Sequence, residues 1–110
     1  MSDDKPVIER LYATIAARKS ADPSSSYTAK LLADGRPRIA KKLGEEAVEV
    51  CVAALSGGRD EVIAESGDLL YHLLVLWAEQ GIAPDEVWNE LAGRFGTSGI
   101  DEKKSRQGKD

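Results

Sequence analysis

The sequence has little of what staples, spans or coats with positive charge. Its 110 residues include one cysteine, Cys51, and one histidine, His72. A lone thiol closes no intrachain disulfide, and no His/Cys cluster suited to zinc exists, a pattern that fits a reducing cytosol. The longest apolar run covers residues 69–78 and is broken by His72. Spanning a bilayer takes about 20 apolar residues, so no membrane partner is expected. Residues 1–5 are polar and no apolar segment follows them, which excludes a secretory signal in this stretch and points to a cytoplasmic protein. Positive charge is not in excess either: 15 Lys and Arg face 19 Asp and Glu, for a net charge of −4 and a pI near 5.0. No general footprint for duplex nucleic acid follows from that balance, and a bound anion must be held by a local cluster.

Apolar side chain is present in sufficient amount. At 42% hydrophobic and 31% charged residues, the chain can fill a modest core and solvate its surface. Its length allows one core and not two.

Glycine and proline fall where helices would stop and start, and no stretch shows the sustained alternation of a half-buried strand. The reading is all-α. Pro6 opens a helix with Val7, Ile8, Leu11, Tyr12 and Ile15 at helical spacing, running to about Arg18. Residues 22–26 form a loop, Ser26 caps a short helix over residues 27–33, and Gly35 supplies a left-handed stop. Pro37 starts a helix to Leu55; after Gly57 and Gly58, Asp60 caps a longer one to Glu79, ended by Gly81. These two form an antiparallel hairpin. Pro84, Asp85 and Glu86 open a last helix that Gly96 closes near Phe95. Residues 1–96 thus make an all-α domain and residues 97–110 a polar tail, basic at its end. Two tryptophans and a ten-residue apolar run give more apolar face than one hairpin covers, so a helical hairpin-based bundle completed by homodimerisation is expected.

At about 100° per residue, Ile39, Leu43, Ala47, Val50 and Ala54 share a face, with Glu46 at its edge and Glu49 about 60° further round. On the partner helix Val62, Leu69, Leu73 and Leu76 make the matching face, and Glu65 and Asp68 take the equivalent places. An antiparallel hairpin brings Glu46, Glu49, Glu65 and Asp68 together. A solvated helix face is the competing reading; two matched pairs favour a metal site. All-oxygen ligands select a hard cation, Mg²⁺ or alternatively Mn²⁺, and such an ion activates water and screens a phosphate leaving group. Glu45 points further from the core face.

Arg36, Arg38, Lys41 and Lys42 precede the first acidic pair, where they can meet phosphate oxygens or simply solvate the helix. Lys103, Lys104 and Arg106 in the tail admit the same two readings. His72 lies one turn after Asp68 and is expected to support a carboxylate or to pack. Tyr71, Trp77 and Trp88 are expected in the core or a subunit interface.

Two segments carry a resemblance: Lys41-Lys42-Leu43-Gly44-Glu45-Glu46-Ala47-Val48-Glu49, and Glu65-Ser66-Gly67-Asp68-Leu69-Leu70-Tyr71-His72-Leu73-Leu74. Together with Ser26-Tyr27-Thr28 upstream and Arg94-Phe95-Gly96-Thr97-Ser98-Gly99 downstream, they resemble the phosphoribosyl-ATP pyrophosphohydrolase family. The resemblance covers residues 26–106 and leaves the first helix and the last few residues outside. It implies a MazG-like all-α homodimer that uses Mg²⁺ on Glu46, Glu49, Glu65 and Asp68 to hydrolyse the α–β phosphoanhydride of phosphoribosyl-ATP, a small-molecule nucleotide, in histidine biosynthesis. On that substrate Lys41 and Lys42 suit the triphosphate, and Arg94, Lys103 and Arg106 the distant ribose phosphate. Gly67, where a better helix former is expected, reads as close packing. The alternatives are a house-cleaning pyrophosphohydrolase of noncanonical nucleoside triphosphates and a non-enzymatic helical dimerisation module.

Overall fold

Serine, proline and glycine set the helix ends in the computed structural model, which describes residues 4–95. Pro6 precedes α1 (Val7–Ala17), which tightens into a 3₁₀ turn over Arg18–Ser20. Ser26 caps α2 (Tyr27–Asp34), its hydroxyl oxygen accepting the Ala29 N–H at 3.1 Å. Gly35, at φ 96° and ψ 177°, turns the chain into α3 (Arg36–Ser56) through a backbone region that is essentially glycine's own. Gly57 and Gly58 separate α3 from α4 (Arg59–Gln80). Gly81 then enters the left-handed region at φ 73°, ψ 22°. Its N–H donates to Ala78 O and the Ile82 N–H to Trp77 O, a Schellman stop in which Ile82 folds onto the core beside Trp77. Finally α5 (Pro84–Ala92) begins with proline, and Glu86 reaches back to accept the Ala83 N–H at 2.9 Å.

Every regular element among the described residues is helical, as expected, and two of the expected ends move by more than one residue. Helix α4 starts at Arg59, so Asp60 lies in its first turn and acts there as an acid near the positive end of the helix dipole, not as the cap. Helix α5 ends at Ala92; Arg94 and Phe95 donate only three residues back, to Leu91 and Ala92. Gly93 weakens the helix at that point. Gly96 and the tail, residues 97–110, lie outside the described residues.

Helices α3 and α4 form the expected antiparallel hairpin, and α1 and α2 pack on the end where α3 begins and α4 finishes. Ile15, Leu31, Ile39, Leu74 and Val75 are each less than 2% exposed; burying such a side chain stabilises by about 1.5–3 kcal/mol. Trp77 meets Trp88 of α5 edge-on at 5.9 Å, and the Tyr12 hydroxyl donates to Ile82 O at 2.6 Å, so α1 and the α4–α5 turn are joined. A forked Arg36–Glu79 pair, at 2.8 and 3.3 Å, ties the start of α3 to the end of α4. All the buried residues of α4 lie between positions 72 and 78. The far half of the hairpin is different: Val48, Val52, Leu55, Ile63 and Leu70 are exposed.

Gly67 does not reflect close packing. A Cβ added there meets nothing within 4 Å, so within the protomer its backbone freedom is an uncompensated cost to α4. Gly67→Ala should therefore raise the stability of the metal-free protein by about 0.5–1 kcal/mol; chemical denaturation followed by circular dichroism measures it, and a lower midpoint would contradict this account of the glycine.

Candidate active site

The hairpin brings three of the four expected acids to one place. One carboxylate oxygen each from Glu46 on α3 and from Glu65 and Asp68 on α4 lie within 4.8 Å of one another. The i, i+3 spacing stacks Glu65 and Asp68 one turn apart, and the antiparallel pairing of α3 with α4 sets Glu46 opposite them. Glu46 and Glu65 are half-buried, while Glu49 and Asp68 are exposed. Within each pair the first acid is thus the more enclosed. Glu49 stands outside the group of three but near enough for its charge to act on Glu65.

Electrostatically Glu65 is the centre of the site. Its pKa is raised above the ordinary 4.5, first by loss of solvent and then by the charges of Asp68, Glu49 and Glu46, with a hydrogen bond to Asp68 that also favours the protonated acid. An all-oxygen group with this excess of negative charge matches a hard divalent cation by its chemistry.

The basic residues divide. Arg36 is engaged by Glu79, whose hydrogen bond and charge raise its pKa. Lys42 is half-buried and pairs with exposed Glu45 at 3.3 Å. Lys41 and Arg38 are exposed, one to two turns before Glu46. Arg94 forms hydrogen bonds of 3.0 and 3.3 Å to Glu90. Lys103, Lys104 and Arg106 lie outside the described residues.

His72 is buried and packed, as one of its two readings had it, and it also supports the acidic turn through the main chain: Nδ1 lies 2.8 Å from Asp68 O and Nε2 3.1 Å from the Tyr27 hydroxyl. Beside it the Thr28 and Tyr71 hydroxyls are hydrogen-bonded, and the Tyr27 and Tyr71 rings stack at 6.4 Å. No periodicity links positions 27 and 28 to positions 71 and 72. In the sequence, Tyr27 and Thr28 carry a functional signal only through the resemblance of Ser26-Tyr27-Thr28.

The fold and this acidic site can be set against known proteins. A family model described as phosphoribosyl-ATP pyrophosphohydrolase matches residues 8–95. The chain belongs to this family. It is 64% identical over 106 residues to a phosphoribosyl-ATP pyrophosphatase of Paramagnetospirillum magneticum, an alignment covering 96% of this chain and 97% of the relative. To the phosphoribosyl-ATP pyrophosphatase of Rhodospirillum rubrum it is 60% identical over 101 residues, 92% of this chain and 86% of that one. The protein of the same name from Azospirillum brasilense is 54% identical over 110 residues, covering 97% and 99%. The family match reaches back through α1, which the sequence reading placed outside the resemblance. Helix α1 contributes Ile15 to the core and Tyr12 to the α4–α5 turn, so it is built into the same unit as the acids.

A raised carboxyl pKa in the folded state destabilises above that pKa. The contribution of Glu65 to stability is greatest below its ordinary value of 4.5 and is lost as the pH rises through the raised folded value. In chelator, Glu65→Gln should thus melt higher than wild type at neutral pH, with the difference closing as the pH falls below the ordinary glutamate range. Thermal melts from pH 4 to 8 test this; parallel curves would refute it.

Proposed function

We propose that this chain hydrolyses the α–β phosphoanhydride of phosphoribosyl-ATP to phosphoribosyl-AMP and pyrophosphate, the second step of histidine biosynthesis in the cytoplasm, using Mg²⁺ with Mn²⁺ as a substitute. The observation that carries the reading is the convergence of Glu46, Glu65 and Asp68 inside a family match that spans α1 to α5. Those three acids, with Glu49 as the fourth, would hold the ion. When bound, the ion supplies charge neutralisation at phosphate oxygens and a water of lowered pKa.

The side chains of this protein divide the remaining work. The carboxylates confine negative charge to one flank of the hairpin, and Lys41 and Lys42 stand one turn before Glu46, where a triphosphate held at the acids would reach them. Lys42 would exchange its Glu45 partner for phosphate oxygen. The ribose phosphate is a second anionic group remote from the triphosphate, so it needs its own cations; Arg94, Lys103 and Arg106 are assigned to it. The exposed Val48, Val52, Leu55, Ile63 and Leu70 give the hairpin an apolar flank that a second copy would cover, making the working unit a homodimer.

Glu46→Gln and Asp68→Asn, folded by circular dichroism, should each lower kcat/KM for phosphoribosyl-ATP by about 100-fold or more. A lost ligand forfeits several kcal/mol of transition-state stabilisation, at about 1.4 kcal/mol per tenfold. Pyrophosphate release measures the loss, and near-wild-type turnover in either variant would remove that residue from the site. The same assay with noncanonical nucleoside triphosphates separates the house-cleaning activity: a higher kcat/KM for one of them would replace phosphoribosyl-ATP as the substrate. Absence of turnover and of any Mg²⁺ effect would leave a helical dimerisation module. Sedimentation equilibrium should give twice the 11.9 kDa chain mass, and a monomer at micromolar concentration would refute the homodimer.

A further inference from the structure

The His72 imidazole makes two hydrogen bonds whose direction is fixed by chemistry. Its Nδ1 faces the main-chain oxygen of Asp68 at 2.8 Å, and a carbonyl only accepts, so Nδ1 carries the proton. Nε2 then has the lone pair, and the Tyr27 hydroxyl at 3.1 Å donates to it. The Asp68 carbonyl is the one that the helix ladder assigns to the N–H of residue 72; the imidazole uses its other lone pair. His72 is 6% exposed and held edge-on between the Tyr71 ring at 5.0 Å and the Tyr27 ring at 6.0 Å. Tyr27 in turn sits at the first position of α2, directly after the Ser26 cap. A continuous path therefore runs from the start of α2 to the peptide group of Asp68.

The turn of α4 that receives this support needs it. Gly67 adjoins Asp68, is exposed, and has no neighbour that would resist a side chain; it loosens the helix between Glu65 and Asp68, in the half of α4 where no residue is buried. Buried packing resumes only at His72.

We propose that His72 and Tyr27 are positioning residues for the acidic site: the path Tyr27 O–H to Nε2 and Nδ1–H to Asp68 O holds the Glu65–Asp68 turn in register with Glu46 against the slack introduced by Gly67. The proposal rests on reading that cluster as a metal site. Its prediction is graded. Tyr27→Phe removes only the hydroxyl that bonds Nε2 and leaves the core intact, and His72→Phe removes both bonds. His72→Asn keeps a donor at the position of Nδ1.

The test is Mn²⁺ binding to the whole protein by isothermal calorimetry, with no nucleotide present. His72→Phe should weaken affinity about tenfold or more, the range found for residues that orient metal ligands. Tyr27→Phe should weaken it less, and His72→Asn should recover most of the loss. In a Gly67→Ala background the effect of His72→Phe should shrink, because the stiffer turn depends less on the imidazole; a His72 that only filled space would cost the same in both backgrounds. Long-range ¹H–¹⁵N spectra should show Nδ1 protonated and Nε2 bare. Wild-type protein that takes up no Mn²⁺ overturns the metal reading and this proposal with it. Wild-type uptake with unchanged affinity in Tyr27→Phe and His72→Phe, or an Nε2-protonated ring, overturns the positioning role alone.

Discussion

Like charges held together on two helices are the constraint around which this molecule is arranged. Glu46, Glu65 and Asp68 lie within 4.8 Å of one another, and with Glu49 they push the Glu65 carboxyl toward its protonated form. In the hairpin's outer half only the small side chain of Ala53 is buried among the described residues, which does little to offset that repulsion. The compensating free energy comes from the other end, where Ile15, Leu31, Ile39, Leu74 and Val75 are buried and the Arg36–Glu79 fork closes the helix pair. One end of the hairpin is built for stability, and the acids lie towards the other.

That division gives a physical meaning to the small helices. None of the clustered acids stands on α1, α2 or α5, yet without these helices the inner half of α4 would expose an almost continuous apolar surface. Tyr12 joins α1 to the α4–α5 turn, and Trp88 brings α5 against Trp77. Helix α2 has the closest connection to the site, because Tyr27 and Thr28 reach Tyr71 and His72 on the turn that follows Asp68. The exposed aliphatic flank of the outer hairpin has the opposite character: it is apolar surface left over after one protomer has folded.

Local chemistry made much of the fold legible in advance. Ser26, Gly35, Gly81 and Pro84 act at helix ends through bonds and dihedrals that each residue determines for itself. Asp60 and Gly96 are less legible, because a cap depends on the dihedrals of one specific residue and a helix end on the sum of weak propensities. Gly58 preceded α4 directly and displaced Asp60 by two positions. Gly93 ended α5 before Gly96 was reached. The apolar stripes of α3 and α4 are less legible: of the named residues only Ile39 is buried and Ala54 is exposed, while Ala53 on α3 and His72, Leu74, Val75, Trp77 and Ala78 on α4 are buried outside those stripes. A stripe marks one apolar side of a helix but not which other helices arrive to bury the remaining sides.

By itself the sequence determined the all-α class, the hairpin and the pairing of two acidic motifs at matching edges. Helical period, capping chemistry and charge are properties of neighbouring residues, readable at a distance of one to four positions. The tertiary structure decided the rest. Which three oxygens converge and that Glu49 stands apart depend on the register of α3 against α4 and on side-chain torsions. That Arg36 belongs to Glu79, and His72 to Tyr27, depends on contacts over 43 and 45 positions. Such contacts leave no periodic trace in the chain, because they are fixed by packing, which exists only once the helices have met.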